Sequence, residues 1–191
     1  DAERVSKEYV SGSNDRLNLS KIYWDRYNRE ASAIGFTYPM VRQQALRRME
    51  EGAVIFNYSG HGAPFQVSHE AALRLEDFKK SYNNRQTLWV LASCEIYPFD
   101  SKEDNIAEEF LHQPNSGSIG FMCATRAVYA TQNNALNRRF AYYVVGRDDA
   151  GNRITMGEAL RKAKNDLLSP AGKSYRDVDN SINKLKYLYF G

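Results

Sequence analysis

The chain has 191 residues, 42% of them hydrophobic, and a net charge of +3 from 26 basic and 23 acidic side chains. This length suits a single domain over residues 1–191 with a real core, and no stretch of about 18 apolar residues is present to span a bilayer. The charges are scattered in both signs, which argues against a nucleic-acid surface. Two cysteines, Cys94 and Cys123, without C-x-x-C spacing exclude a disulfide framework and argue against zinc ligation.

Residues 1–11 place Ala2, Val5, Tyr9 and Val10 at helical spacing before Gly12, Ser13 and Asn14 break the pattern, which predicts a short helix. The β-rich "LSKIYWD" at 19–25 predicts a strand. Residues 39–51 predict a helix with Val41, Ala45 and Met49 on one stripe, Pro39 in its first turn and Gly52 at its end. The alternation repeats through a strand at 53–58, a helix at 75–82, a strand at 87–93, a helix at 104–112 carrying Ile106, Ala107, Phe110 and Leu111, a strand at 117–124 and a helix at 133–145. A helix over 156–168 lines up Met156, Ala159, Leu160, Ala163 and Leu167, and Thr155 with Glu158 predicts a capping box at its start. Residues 169–181 read as a loop and "KLKYLYFG" as a final strand. Strands that are continuously apolar belong in a sheet covered on both faces, so the class is α/β with a mostly parallel, helix-covered sheet.

Ligands of such sheets collect beyond the carboxyl ends of the strands. His61, in "NYSGHGA", follows the strand at 53–58, and Cys94, in "LASCEIYPFD", follows the strand at 87–93, thirty-three residues later, room for one helical crossover. If these strands are neighbours, about 4.8 Å apart, both side chains open onto one rim. A thiol becomes a good nucleophile when ionised, and an imidazole beside it can hold the thiolate and protonate a leaving amine. Gly62 lacks a Cβ, so its N–H can approach a substrate carbonyl and, with the N–H of Cys94, form an oxyanion hole.

These two motifs at this separation resemble the gingipain-type cysteine peptidases, relatives of the caspases. The resemblance implies a caspase-like three-layer sandwich in which His61 and Cys94 form the catalytic dyad. It extends through "GSIGFMCATRAVYATQNNALN" at 117–137, similar to the strand and loop that wall the family's specificity pocket, and through "TMGEALRKAKND" and the closing strand. It places Arg126 and Tyr129 in that pocket, with Ser59 and Ala92 as further wall, and it makes Asp1 and, above all, Glu3 the nearest upstream acids to orient the histidine. No acid stands where the trypsin-like members bind a basic side chain. The resemblance implies no required cofactor, although the acids at 100–104 admit calcium, as in gingipain relatives; otherwise they open a helix, with Ser101 or Asp104 near its cap. Asp1-Ala2-Glu3 resembles a point just after the family's first core strand, which makes the chain read as part of a longer protein.

The Thr-Arg-x-Val-Tyr run and the Gln-Asn that follows are most similar to the type IX secretion sortase branch. That branch implies a location at the outer surface of a Gram-negative bacterium, removal of C-terminal sorting signals, other domains in the same chain as partners, and a surface glycolipid as acceptor. Two alternatives stand beside it: a secreted or surface peptidase without transpeptidation, and an inert caspase-like binding module. A phosphate cradle at the glycines is disfavoured, since the P-loop lysine and the G-x-G-x-x-G spacing are missing. Cys123 reads as a core residue, His69 as a solvated or capping residue near the dyad, and His112 as a helix-end residue. The sequons at Asn18 and Asn57 are discounted, and Tyr142, Tyr143, Tyr187 and Tyr189 read as core or interface.

Overall fold

A computed structural model describes residues 1–13, 16–33, 35–114, 116–168, 183 and 185–191. The expected loop at 169–181 lies outside the described residues. The central sheet has four strands in the order β3 (Ile55–Ser59), β7 (Thr87–Ala92), β8 (Ser118–Ala124) and β9 (Tyr187–Phe190). The first three are parallel and the last is antiparallel, so the sheet is mostly parallel, as its apolar runs predict.

All six residues of β7 are buried, and their alternation divides them between two helical layers. Trp89 and Leu91 face Phe78, Phe110 and Phe121 in a cluster closed by α2 (Pro39–Glu51), α3 (Leu75–Lys80) and α4 (Ile106–Leu111). Leu88 and Val90 face Met122, Leu136, Phe140 and Ala159 beneath α5 (Ala130–Val145) and α6 (Met156–Leu168). On that second side α1 (Ala2–Ser13) buries Val5 and Tyr9 against Ala141. Gly12 permits the α1–α5 approach, because a Cβ there would stand 2.4 Å from the Tyr142 carbonyl oxygen.

The expected strand at 19–25 does not form. Its described residues are irregular with a single helical turn at Trp24–Arg26, and Trp24 packs on Tyr38 and Tyr58 at ring separations of 5.8 and 6.1 Å. The β-rich pattern is used for aromatic packing, and no described strand pairs with it. The hairpin of β1 (Glu30–Ser32) and β2 (Gly35–Thr37) instead follows it. A second small sheet, β4 (Gly62–Ala63), β5 (Gln66–Val67) and β6 (Leu73–Arg74), was hidden in what the sequence presents as a polar loop.

Helix ends also differ. α5 begins at Ala130, three residues before the expected 133, because Ala130 and Thr131 are exposed and Gln132 half-buried, so its first turn adds nothing to an apolar stripe. Asn105, not Ser101 or Asp104, caps α4 through a 3.0 Å bond accepted from the Glu108 N–H. Thr155 accepts from the Glu158 N–H at 3.2 Å, but the Glu158 carboxylate pairs with Arg161, so the reciprocal half of the capping box is absent.

A polar network crosses the second interface. Asn137 accepts from Asn57 at 2.7 Å and donates to Asn57 at 3.0 Å and to Ser59 at 2.9 Å, while Asn57 also donates to the Tyr9 hydroxyl at 2.9 Å. Asn57 is therefore committed inside the fold, consistent with discounting its sequon. Replacing the fully buried Asn137 by leucine strands several of these groups. Asn137→Leu is expected to lower the unfolding free energy by about 2–3 kcal/mol, read as a fall in urea midpoint at unchanged m-value.

Candidate active site

The site lies beyond the carboxyl ends of β3, β7 and β8, where three loops meet. Parallel pairing of β3 with β7 runs in register from Ile55 opposite Leu88 to Ser59 opposite Ala92, and one further bond, from the Gly60 N–H to the Ala92 carbonyl at 3.3 Å, carries the ladder past the strand end. His61 and Cys94 thus each stand two residues beyond the last paired position on adjacent strands. Register, more than the bare separation of the motifs, brings them to one rim.

The two loops touch. A Cβ on Gly62 would meet the Ser93 Oγ at 2.6 Å and the Ile96 side chain at 2.9 Å, so this glycine is required for loop contact as well as for any approach to substrate. The Ser68 N–H donates to the His61 carbonyl at 2.9 Å. Bonded and non-bonded pairs alternate along an antiparallel ladder, so the next pair, Gly62 with Val67, is the non-bonded one and the Gly62 N–H points off the ladder. The His61 ring is exposed and edge-on to His69, with centroids 6.0 Å apart. His69 is thus beside His61, held by a turn in which Ser68 (φ +76°) and Ala71 (φ +50°) take left-handed conformations.

Cys94 is half-buried. The Val128 N–H donates to its Sγ at 3.5 Å, and the thiol faces the Val128 carbonyl at the same distance. Glu95, immediately after it, sits at φ +46°, a conformation disfavoured for a side-chain-bearing residue that persists only where the surroundings enforce it. Here they do so through bonds from the Glu95 N–H to the Arg126 carbonyl at 3.3 Å and from the Tyr97 N–H to the Ala124 carbonyl at 3.2 Å. The β7 and β8 loops are thereby stitched together through their backbones.

The remaining expected site residues are placed unevenly. Arg126 and Tyr129 do lie on the loop against Cys94; Tyr129 is 55% exposed, whereas the Arg126 guanidinium pairs with Asp100 at 2.5 Å. Ala92 is only 1% exposed and presents no side chain to the rim, and the Ser59 hydroxyl is turned to Asn137. Glu3 is taken by Lys21, at 2.9 Å, and by the Tyr23 hydroxyl, which lower its pKa in the order Tyr23, then Lys21. Among the described residues no hydrogen bond joins the His61 ring to an acid. The orienting role expected of Glu3 is therefore not supported by its contacts, and the Asp1 carbonyl simply receives the Val5 N–H of α1.

Asp100 holds Arg126 and Asp104 holds Lys79 at 2.7 Å, and among the described residues no group of three His, Cys, Asp or Glu is arranged for a metal. Cys123 is fully buried, and burial pushes its thiol well above the ordinary range. His112 caps the end of α4. Sequence reasoning missed the Val128 peptide, which carries no side-chain signal, and Ser93, whose buried Oγ lacks a hydrogen-bond partner among the described residues.

An α/β sandwich with a half-buried cysteine and a histidine on adjacent parallel strand ends defines the class. The model of Peptidase family C25 matches residues 1–191, and the chain belongs to that family. The fold is the caspase-like fold of the gingipains. Gingipain R, described as an Arg-specific cysteine proteinase, superimposes with a TM-score of 0.66 at 14% identity over 78% of this chain and 34% of its own. The complex of Porphyromonas gingivalis RgpB pro- and mature domains gives 0.62 at 12% identity over 78% and 35%. A further protease structure gives 0.56 at 12% identity over 76% and 35%. The chain thus spans about a third of the length of these solved chains. No curated protein matches the sequence.

Two outcomes follow from the geometry. Gly62→Ala forces the touching loops apart and is expected to destabilise the protein by about 1–3 kcal/mol, measured by urea unfolding. The hydrogen bond from Arg126, foremost, holds the Asp100 carboxyl below its ordinary value. A depressed carboxylate pKa contributes stability above the unfolded value and loses it as pH falls through the folded one. The difference in Tm between wild type and Asp100→Asn, small for so exposed a pair, should therefore be steady from pH 5 to 8 and close below about pH 4.

Proposed function

We propose that the chain is the core of a cysteine peptidase in which Cys94 attacks a peptide carbonyl. His61 removes the thiol proton and returns it to the leaving amine, and the N–H groups of Gly62 and Cys94 receive the developing oxyanion. The observation that carries this reading is the in-register pairing of β3 with β7, which sets His61 and Cys94 at equivalent positions on adjacent strands. The acyl-enzyme formed on Cys94 Sγ releases the amine half of the substrate and is resolved by water or by an added amine.

Each of the three loops also carries one exposed aromatic ring: Phe65, Phe99 and Tyr129 are 55–56% exposed. With Arg126 paired to Asp100, this favours substrate segments with apolar side chains over strongly charged ones. Within this reading we place the protein in the sortase branch, at the outer surface of a Gram-negative bacterium. There it would remove C-terminal sorting signals and pass the acyl group to an amine on a surface glycolipid, working with further domains of its own chain. Support for the branch is the Thr125-Arg126-Ala127-Val128-Tyr129 run and the nearby Gln132-Asn133.

Incubation with a peptide library, with and without a primary amine, followed by mass spectrometry tests both levels. Free-acid products alone indicate a peptidase, and amide products indicate transpeptidation. Cys94→Ala is expected to abolish turnover, and His61→Ala to reduce it by about 10²–10⁴-fold. Turnover that survives Cys94→Ala would sink the proposal.

A further inference from the structure

We propose that the groove at the end of the sheet opposite the Cys94 rim binds an extended polypeptide segment that presents an apolar side chain between two acidic ones. This site is separate from the peptidase chemistry proposed above and does not depend on it. The groove lies where β3, β7 and β8 begin and β9 ends, and it encloses about 680 Å³, within the range of ligand-binding clefts. Its surface is mostly apolar, with Leu17, Val54, Ile119, Val145 and Ile154 among the lining residues. Val54 is 71% exposed and Ile119 39%, so apolar surface stands uncovered at the strand ends.

Three arginines line the same groove, and no acid is among the described residues that do. Arg147 and Arg153 stand directly opposite one another in an antiparallel bridge of the hairpin that joins α5 to α6. Like charges at such a pair repel. Among the described residues neither guanidinium pairs with a carboxylate. Arg147 donates to the Gly151 carbonyl at 2.6 Å, and the Asp148 carboxylate beside it is taken by the backbone and side-chain N–H groups of Asn152 at 2.7 and 3.3 Å. An anion seated between the two guanidinium groups would replace their repulsion with charge-assisted hydrogen bonds.

The third arginine selects the class of ligand. Arg16 follows α1, which lies over β3 through the bond between Tyr9 and Asn57. The hairpin leads instead into α6, whose Ala159 and Leu160 share a cluster with Tyr187 of β9. Positive charge therefore stands toward both ends of the groove, with apolar surface between. Three strand spacings of about 4.8 Å separate β3 from β9, about 14 Å in all, which an extended chain covers in about four steps of 3.3 Å. Acids at the first and fifth positions and an apolar side chain at the third then share one face, because side chains alternate along an extended chain. A single-headed amphiphile such as a fatty acid carries its anion at one end alone and leaves the other end of the groove unanswered.

The test is calorimetric titration of the Cys94→Ala chain, which cannot turn the probe over, with the blocked peptide Glu-Ser-Leu-Ser-Glu at low salt. Saturable binding with a Kd below about 1 mM is expected, and Lys-Ser-Leu-Ser-Lys and Glu-Ser-Ser-Ser-Glu should bind at least about tenfold more weakly. Arg153→Glu and Arg16→Glu, at opposite ends of the groove, should each weaken binding about tenfold, the equivalent of one charge-assisted bond, and 1 M salt should weaken it in the same way. All three arginines are exposed, and Arg153→Glu places opposite charges across the bridge, so its Tm should be no lower than that of the parent. If that variant does not fold, Arg16→Glu and Val54→Ser, which trims the exposed apolar wall, decide the matter by the same loss of affinity. Absence of saturation, equal binding of the control peptides, or affinity unchanged in the folded variants overturns the proposal. Binding of laurate without binding of the acidic peptide overturns it as well, in favour of a lipid site.

Discussion

The parallel pairing of Ile55–Ser59 with Thr87–Ala92 is the constraint on which the rest of the molecule depends. A slip of one residue would send Trp89 and Leu91 to the α5–α6 side and Leu88 and Val90 to the α2–α4 side, exchanging two differently shaped sets of neighbours. Core packing thus fixes the register, and the register fixes which residues stand at the strand ends. The strand is also locked laterally, since Asn57 and Ser59 are bonded to Asn137 of α5. Polar specificity on one face and aromatic packing on the other hold the same five-residue strand. The placement of His61 opposite the Cys94 loop is therefore a consequence of the core.

What the sequence made legible follows from this. Apolar runs marked all four strands of the central sheet, most clearly the buried parallel β7 and β8, as clean stripes such as Val41, Ala45 and Met49 or Ala159, Leu160 and Ala163 marked helices. The His61 and Cys94 motifs were legible because glycine and cysteine at strand ends are chemically distinctive. The stretch at 19–25 misled because aromatic and β-branched residues favour any half-buried surface, and here Trp24 finds one on Tyr38 and Tyr58 without a ladder. The first turn of α5 was hidden because Ala130, Thr131 and Gln132 are exposed or half-buried and leave no hydrophobic pattern.

Side-chain roles were less legible than positions. A position upstream of the histidine pointed to Glu3 as the orienting acid, but the contacts of a carboxylate are decided in three dimensions, and Lys21 and Tyr23 are its neighbours. Arg126 lies on the loop at Cys94, and its charge is answered by Asp100, so its guanidinium helps to hold the β7 and β8 loops together. Asp104 and Lys79 make a similar exposed link between the start of α4 and α3. Pairs of this kind add little stability in water, and their value here is geometric, tying loop ends that the sheet does not reach.

Around the cysteine, backbone groups carry most of the arrangement. The Glu95 and Tyr97 N–H groups bind carbonyls of the β8 loop, the Val128 peptide meets the sulfur, and the Gly60 N–H completes the ladder to Ala92. Backbone donors are set by the path of the chain and need no rotamer to be frozen, so they suit a site whose donors must be aligned before substrate arrives. The cost of that path appears at Glu95, Ser68 and Ala71, side-chain-bearing residues held at positive φ beside the cysteine and the histidine. Strain at these places persists because the surrounding bonds over-determine the loops. The same bonds make the positions of His61 and Cys94 insensitive to the identity of most rim side chains, which leaves the exposed rings of Phe65, Phe99 and Tyr129 free to vary without moving them.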